Sequence, residues 1–146
     1  ICTAAEMAKA VFDEMDAVDV VIKVAAVSDY RPVEVASQKI KKQSDELVVR
    51  MEKTEDILET MGKRKKSQII VGFAAETEDL EKNALDKMNR KNLDMIVGNL
   101  IGSPGSGFES DTNQMKIFSK NGSVEDVPMM DKNEAAHLLL DRILKL

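Results

Sequence analysis

The sequence has few of the features that mark secreted, membrane-bound or nucleic-acid-binding proteins. Its single cysteine, Cys2, cannot form an internal disulfide, which suits a reducing cytoplasm. The net charge of −5 does not indicate the positively charged surface that is typical of nucleic-acid-binding proteins. No apolar run approaches the length of a membrane span, and no signal-peptide pattern opens the chain. We therefore expect a cytoplasmic protein whose partners are neither membranes nor nucleic acids.

The sequence also lacks the common short motifs of catalysis and nucleotide binding. It contains no Gly-x-Gly-x-x-Gly fingerprint, no Walker loop, no Ser-His-Asp set and no Cys/His spacing suited to a metal. Tyr30 does not begin a Tyr-x-x-x-Lys pair, because Glu34 stands four residues along. The sequence therefore does not support an enzyme that uses a nucleophilic side chain, and it disfavours a nicotinamide-dependent reductase. It does not identify any metal ligands.

The amino-acid composition is typical of a globular domain. The chain has 146 residues, of which 43% are hydrophobic and 32% charged, enough for one domain with its own core. It opens on Ile1, without an initiator methionine, at what reads as the tail of a strand. We therefore expect a longer parent protein and a fold whose N-terminal part is missing from these residues.

Three mostly apolar runs predict buried strands, at 20–27, 69–74 and 93–99. Helical patterns alternate with them through short links, which predicts a parallel sheet covered by helices. A Gly/Ser loop is expected at 102–113. The Asn121-Gly122 pair predicts a hairpin with a type I′ turn, added antiparallel at the sheet edge. Residues 47–52 alternate in polarity, which predicts a one-sided strand projecting from the sheet. The predicted fold is a Rossmann-like, three-layer α/β fold.

Signals at helix ends predict four helices. Thr3 begins the first, which spans 3–15, with capping-box spacing. Thr54 caps the second, and Gly62 is its stop signal. A third helix follows the second buried strand, and Asp131 caps the last. The residues of the last helix expected to face the core are Leu138, Leu139, Ile143 and Leu146.

Polar side chains follow the predicted parallel strands at the points where the strands end. In an open parallel sheet, ligands bind outside the carboxyl ends of the strands. The stretches "AVSDYRP", "FAAET" and "GNLIGSPGSGF" fall there. Asp29 could hold a ribose hydroxyl, a base amino group or a metal-bound water, or it could cap a turn or pair with Arg31. Phe73, at the end of the second strand, fits either the core or a stacked base.

Charged residues near this edge also allow two interpretations each. The basic run "KIKK", which starts at Lys39, is either solvated or ligand-binding. Lys87 and Lys91 are four residues apart on one helix face, where they either complement the helix dipole or reach toward phosphates. Glu55 and Asp56 open a helix, so a nucleotide at that helix start is expected to present its base or ribose rather than a phosphate.

Five stretches together resemble one family closely, the phosphopantothenate–cysteine ligases, also called phosphopantothenoylcysteine synthetases, of coenzyme A biosynthesis. They occur in the family's order and spacing and cover nearly the whole chain. The bacterial, CTP-dependent form is often the carboxyl-terminal half of a bifunctional flavoprotein. The matching stretches are "AAVSDYRP" (25–32), "KIKK" (39–42), "VGFAAET" (71–77), "KMNRKNLD" (87–94) and "GFESDTN" (107–113).

The resemblance implies a two-step ligation. The carboxylate of 4′-phosphopantothenate attacks the α-phosphate of CTP, with magnesium (Mg²⁺), which releases pyrophosphate and leaves an acyl cytidylate. The amine of cysteine then attacks the acyl group, and CMP leaves. FMN is implied only if a decarboxylase domain is fused upstream, and the implied assembly is a homodimer or higher oligomer.

The resemblance also implies site residues. Lys39 matches the family's flap lysine, which serves the cysteine step. The extended stretch "DELVVRM" (45–51) resembles the family's dimerisation strands. The positions that match CTP-binding residues are Ala25, Ala26, Asp29, Lys39, Glu55, Asp56, Ile57, Leu58, Phe73, Lys87 and Lys91.

The chain departs from the family at its start. Family members begin with a Gly-rich strand–loop–helix and then a segment with an asparagine that holds the acyl cytidylate, and these residues contain neither. Residues 1–146 are therefore expected to be a ligase domain that is incomplete at its N-terminus and has little activity alone. The alternative from another class is a nucleotide-binding module that kept the fold and lost catalysis.

Overall fold

The computed structural model describes residues 1–41, 46–76, 78–100 and 112–146. Most of the Gly/Ser loop predicted at 102–113 lies outside these ranges. The helices are α1 (Ala4–Glu14), α2 (Ile57–Arg64), α3 (Leu80–Arg90) and α4 (Lys132–Ile143), with a short 3₁₀ helix at Met15–Ala17. The strands are β1 (Val20–Lys23), β2 (Tyr30–Pro32), β3 (Met51–Lys53), β4 (Ile69–Glu76), β5 (Met95–Leu100), β6 (Thr112–Ser119) and β7 (Val124–Asp131).

Five of these strands form one sheet in the order β1–β4–β5–β6–β7. β1, β4 and β5 run parallel, as crossover connections through helices require. β6 and β7 add to β5 as an antiparallel hairpin. Residues of α1, α2 and α3 pack on one face of the sheet, and residues of α4 pack on the other. The predicted three-layer α/β fold with an antiparallel edge hairpin is confirmed.

Side-chain alternation along β4 and β5 divides the core into two layers. Ile70 and Ile96 belong to the layer beneath α1–α3, and Val71 and Val97 belong to the layer beneath α4. All four side chains are fully buried. Continuous apolar runs therefore mark the two central parallel strands, and each buried side chain of this kind contributes roughly 1.5–3 kcal/mol.

The strand predicted at 20–27 is shorter and more exposed than expected. β1 ends at Lys23, and residues 24–27 leave the ladder. Val20 is 38% exposed and Val24 is 61% exposed. The reason is that β1 is an edge strand in the described part of the chain, where only β4 pairs with it. The prediction of a strand buried on both faces is wrong for this element.

The predicted projecting strand forms a separate two-stranded ribbon of β2 and β3. Tyr30 pairs with Lys53, and Pro32 pairs with Met51. Pairing begins only at Met51, so the strand predicted at 47–52 is mostly irregular. Its expected one-sided burial is absent, because Leu47 and Val48 are both more than two-thirds exposed. The role of this segment in dimerisation stays a prediction.

The start and interior of α2 differ from the prediction. Its N-cap is Asp56, whose Oδ1 accepts a hydrogen bond from the backbone N–H of Glu59 at 3.0 Å. Thr54 instead donates its hydroxyl to the carbonyl of Ser28. Gly62 does not stop the helix but lies within it, where an added Cβ would sit 1.9 Å from a neighbouring carbonyl oxygen. The absence of a side chain at Gly62 therefore allows α2 to approach the backbone at the end of α3 closely.

The other predicted helix signals are mostly confirmed. Thr3 and Glu6 form the reciprocal capping box at the start of α1. Asp131 caps α4 by accepting a hydrogen bond from the N–H of Asn133. Leu146 does not face the core, because α4 ends at Ile143 and leaves Leu146 about half exposed.

The turn of the hairpin is not the predicted type I′ turn. Within the turn only Gly122 has a positive φ, of 89°, whereas type I′ requires two such residues. The N–H of Gly122 donates to the carbonyl of Ser119, which is the pattern of a type I turn completed by a glycine bulge. The hairpin itself was correctly predicted.

Candidate functional site

A cleft of about 910 Å³ lies at the carboxyl ends of β1 and β4 and beside β5. The loop 24–29, the first turn of α2, the last turns of α3 and one side of α4 bound it. This volume lies in the range of about 300–1,000 Å³ that is typical of small-molecule sites. The predicted site residues that line it are Ala25, Ala26, Asp29, Glu55, Asp56, Ile57, Leu58, Phe73, Lys87 and Lys91.

Lys39 is the predicted site residue that does not line this cleft. It lies in an exposed segment without regular structure, 33–41, which follows β2. Val35 is 86% exposed in the same segment, so nothing in the described part of the chain packs this segment down onto the cleft. The structure separates Lys39 from the other predicted residues.

Hydrogen bonds from Thr54, the residue that follows β3, hold the loop that carries Asp29. The backbone N–H of Thr54 donates to the carbonyl of Asp29 at 2.9 Å, and the hydroxyl of Thr54 donates to Ser28. Arg31, the alternative partner for Asp29, pairs with Glu52 at 2.8 Å instead. Asp29 lines the cleft, where its negative charge acts on Lys23.

Three lysines converge on one side of the cleft, and we call Lys23, Lys87 and Lys91 the lysine cluster. The Nζ of Lys91 lies 2.5 Å from Oδ2 of Asp56, and its side chain is only 9% exposed. The Nζ of Lys87 donates to the carbonyl of Phe73 at 2.8 Å. The Nζ of Lys23 donates to the carbonyl of Ala25 at 2.9 Å. Each ammonium group has three protons, so further acceptors are needed to satisfy the cluster.

The lysine cluster perturbs its own ionisation. Burial, followed by the charge of Lys91, lowers the pKa of both Lys23 and Lys87. Burial alone would raise the pKa of Asp56, but hydrogen bonds from Lys91 and from the backbone of Glu59 outweigh it and lower that pKa. Clustered ammonium groups whose charged forms are disfavoured gain most from a bound anion. The arrangement therefore suits a phosphate or another anionic group.

The start of α2 contributes acidic and apolar groups rather than an anion site. Asp56 occupies the cap, and Glu55 accepts a hydrogen bond from the hydroxyl of Thr60. Ile57 and Leu58 line the cleft with side chains that are almost completely buried in the core. These residues agree with the expectation that a phosphate does not bind at this helix start.

The opposite side of the cleft is mostly apolar, apart from Lys132 at the start of α4, and sequence reasoning missed it. It is formed by Met115, Ala135, Ala136, Leu139 and Leu140, which we call the apolar wall. The structure also adds polar residues that the prediction lacked, namely Lys23, Ser28, Thr54, Asn99 and Lys132. Lys23 could have been noticed as the one charged residue in "VVIKVAAV", and Asn99 as the polar residue after the apolar run of β5.

The described residues contain no group of three or more His, Cys, Asp or Glu side chains arranged to hold a metal ion. Magnesium that arrives with a nucleotide does not need such a group, because phosphates and water supply most of its ligands. One carboxylate at the cleft, such as Asp29, is compatible with that form of binding. None of the helices in the described ranges has the length and continuous apolar sequence that a transmembrane helix requires.

Comparisons with known proteins agree with this architecture. The coenzyme A biosynthesis bifunctional protein CoaBC of Bacillus subtilis (strain 168) is 44% identical over 144 residues, which cover 99% of this chain and 36% of that protein. A cysteine/cysteine sulfinic acid decarboxylase from an unknown prokaryotic organism is 41% identical over 145 residues, which cover 99% of this chain and 40% of that protein. The chain thus spans well under half the length of these curated relatives.

A solved structure is similar over nearly the whole chain. The crystal structure of the C-terminal domain of coenzyme A biosynthesis bifunctional protein CoaBC superposes with a TM-score of 0.80 and 37% sequence identity, covering 98% of this chain and 62% of that one. The family model described as the DNA/pantothenate metabolism flavoprotein C-terminal domain matches residues 1–146. The chain therefore belongs to the family of DNA/pantothenate metabolism flavoprotein C-terminal domains, and it is related to the coenzyme A biosynthesis protein CoaBC.

Proposed function

We propose that this chain is the ligase domain, within residues 1–146, of a CTP-dependent phosphopantothenate–cysteine ligase in coenzyme A biosynthesis. The observation that carries the proposal is the lysine cluster, placed beside Asp29 in a cleft at the carboxyl ends of parallel strands. The 44% identity to a coenzyme A biosynthesis protein supports the pathway. In the proposed reaction the substrate carboxylate attacks the α-phosphate of CTP and pyrophosphate leaves. The amine of cysteine then attacks the acyl cytidylate and CMP leaves.

The residues of the cleft have distinct parts in this proposal. Lys87 and Lys91 donate hydrogen bonds to the nucleotide phosphates and stabilise the negative charge that builds up as pyrophosphate leaves. Asp56 holds the ammonium group of Lys91 in position through its 2.5 Å contact. Phe73 and the first turn of α2 border the base and ribose. Asp29 binds a ribose hydroxyl or a water on magnesium, and magnesium neutralises phosphate charge when it is bound.

Lys39 and the assembly are further parts of the proposal. Because Lys39 lies outside the cleft, it serves the cysteine step only when the exposed segment 33–41 approaches the bound acyl group. Exposed apolar side chains of this segment and of the stretch before β3, such as Val35 and Val48, suit a homodimer contact. We also propose that residues outside this chain complete the domain at its N-terminus, and that FMN belongs to the whole protein only where a decarboxylase domain is fused upstream.

Pyrophosphate release by the full-length protein tests the function. Magnesium and 4′-phosphopantothenate are supplied with CTP or with ATP, and cysteine is then added. Release with CTP that rises on addition of cysteine, and falls in a Lys39→Ala variant, supports the ligase. Release with ATP alone contradicts the choice of nucleotide. Binding of CTP without any release favours the catalytically silent nucleotide-binding module. Slow turnover is expected from residues 1–146 alone, and a full rate would contradict the incomplete domain.

A further inference from the structure

A carboxylate outside the cleft is held between β4 and α3. Glu76 is the last residue of β4, and it does not line the cleft. The side-chain nitrogen of Asn83, on α3, donates a hydrogen bond to Oε2 of Glu76 at 3.2 Å and another to the carbonyl of Glu78 at 3.3 Å. One amide group has two protons and can form both bonds at once. Because an amide is neutral, Asn83 holds the carboxylate in place without neutralising its negative charge.

Glu76 and Lys87 lie in the same seam between β4 and α3. Side-chain alternation puts Glu76 on the same face of β4 as Ala74, which packs beneath α1–α3. Asn83 and Lys87 are four residues apart, on neighbouring turns of one face of α3. The Nζ of Lys87 reaches back to β4, where it donates to the carbonyl of Phe73 at 2.8 Å. The hydrogen bond from Asn83 therefore keeps a negative charge beside the helix face from which Lys87 extends.

The charges around Lys87 make this carboxylate important. Burial lowers the pKa of Lys87, and so do the charges of Lys91 and, more weakly, Lys23. The negative charges of Glu76 and Asp56 oppose this shift, Glu76 the more strongly. These groups come from β1, from β4, from the cap of α2 and from the end of α3. Asp56 is already paired with Lys91 at 2.5 Å. Among the described residues, Glu76 therefore contributes most to keeping Lys87 protonated.

We propose that Glu76 is a positioning residue: held by Asn83, its carboxylate stabilises the charged ammonium group of Lys87 from outside the cleft, while that group binds the nucleotide phosphates. This inference rests on the proposed function and names the residue that supports one of its phosphate-binding groups. Because Glu76 does not line the cleft, it does not compete with the nucleotide for contact with Lys87. A purely structural link between β4 and α3 needs only an acceptor for Asn83, which a neutral glutamine also provides. The charge of Glu76 therefore distinguishes the two roles.

The test separates the charge of Glu76 from its hydrogen bond. In the full-length protein, Glu76→Gln removes the charge and keeps an acceptor, whereas Asn83→Ala removes the donor and keeps the charge. Glu78→Gln is the matched control, because Glu78 is exposed, lies two residues along and does not line the cleft. Calorimetric titration gives the affinity for CTP with magnesium from neutral to alkaline pH. The rate at which acetic anhydride acetylates Lys87, followed by mass spectrometry without nucleotide, reports the unprotonated fraction of Lys87.

Loss of the negative charge makes Lys87 give up its proton at lower pH. We therefore expect the alkaline loss of CTP affinity in Glu76→Gln to move to lower pH by about 0.5, the scale of one partly exposed charge interaction. Binding is then about threefold weaker than in the wild type at alkaline pH and within about twofold at neutral pH. The acetylation profile of Lys87 moves by the same amount. Asn83→Ala moves both profiles less, because the freed carboxylate can turn away, and Glu78→Gln leaves both unchanged.

Combination with Lys87→Met shows whether Glu76 acts through Lys87. In that background, Glu76→Gln is expected to leave the pH dependence of CTP affinity unchanged. A shift that persists there, or one that Glu78→Gln reproduces, overturns the inference. So does a Glu76→Gln variant whose two pH profiles match those of the wild type, and a lower unfolding temperature of that variant would then leave Glu76 a structural role alone.

Acetylation separates this inference from the proposed function, because it needs no nucleotide. If the wild type releases pyrophosphate from CTP and the acetylation profile of Lys87 does not depend on Glu76, the role of Glu76 is overturned and the ligase stands. If that profile depends on Glu76 in a protein that neither binds CTP nor releases pyrophosphate, the ligase is overturned and the support of Lys87 by Glu76 stands.

Discussion

Replacing Gly62 with alanine is expected to destabilise the protein, although the same change inside most helices stabilises them by roughly 0.5–1 kcal/mol. The added Cβ would lie 1.9 Å from the carbonyl oxygen of Lys91 and 2.9 Å from its carbonyl carbon. Both are backbone atoms, so no side-chain rotation can relieve the contact. α2 and the end of α3 must therefore move apart by about 1.5 Å to restore ordinary van der Waals separation. That movement also strains the hydrogen bond from Asn92 to the carbonyl of Gly62, which is 3.1 Å long.

Overpacking of this kind costs about 1–3 kcal/mol, which exceeds the gain in helix propensity. We therefore expect Gly62→Ala to lose about 1–2 kcal/mol in urea unfolding, or about 2–4 °C in Tm for each kcal/mol. Lys63→Ala, an exposed position on the same helix, serves as the control and stays within about 0.5 kcal/mol of the wild type. An alanine variant as stable as the wild type, or more stable, would refute the close approach of the two segments.

Three further predictions concern the lysine cluster. Lys91→Met is expected to weaken CTP binding about tenfold or more in calorimetric titration, because one charge-assisted hydrogen bond contributes about 1.5–3 kcal/mol. Asp56→Asn keeps a good helix cap but removes the ion pair with Lys91. We therefore expect Asp56→Asn to be more stable to unfolding than Asp56→Ala. Titration is expected to show equally weakened CTP binding in both variants. The lowered pKa of Lys87 means that its positive charge is lost as pH rises through that value. CTP affinity is therefore expected to fall as pH rises through the lowered pKa of Lys87, and to fall less steeply in Lys87→Met, where only Lys23 still loses its charge early.

Features that depend on local sequence were predictable. The apolar runs of β4 and β5 are typical of central parallel strands, and the sheet topology then determines which strand ends meet at the cleft. The capping box of Thr3 and Glu6 involves only neighbouring residues, so its spacing was sufficient. For the same reason Lys87 and Lys91 could be assigned to one helix face, whereas their role in ligand binding was implied only by the family resemblance.

Features that depend on contacts between distant segments were not predictable from local signals. In "KTED" the residues Thr54 and Asp56 are both good caps, and the choice is made by Lys91, which binds Asp56, and by the carbonyl of Ser28, which takes the hydroxyl of Thr54. Gly62 was predicted to end the helix because glycine is common at helix ends. The structure shows instead that a glycine is needed there because the backbone of Lys91 lies too close for a side chain. The apolar wall was missed because α4 follows the edge hairpin rather than one of the parallel strands, and it reaches the cleft only through tertiary packing.

The groups that weaken the free protein lie together in the cleft. Lys23 and Lys87 are held where burial and a neighbouring charge disfavour their protonated forms, and Asn99 buries an acceptor that has no partner in the described part of the chain. By contrast, Lys65, a partly buried lysine at the C-terminal end of α2, forms a close ion pair with Asp94. When a fold satisfies its polar groups elsewhere, the unsatisfied groups are expected at the functional site, where a bound ligand supplies the missing hydrogen-bond and charge partners. Because the cationic and neutral groups lie on opposite faces of the sheet edge but line one cleft, a ligand that satisfies both must reach across that edge.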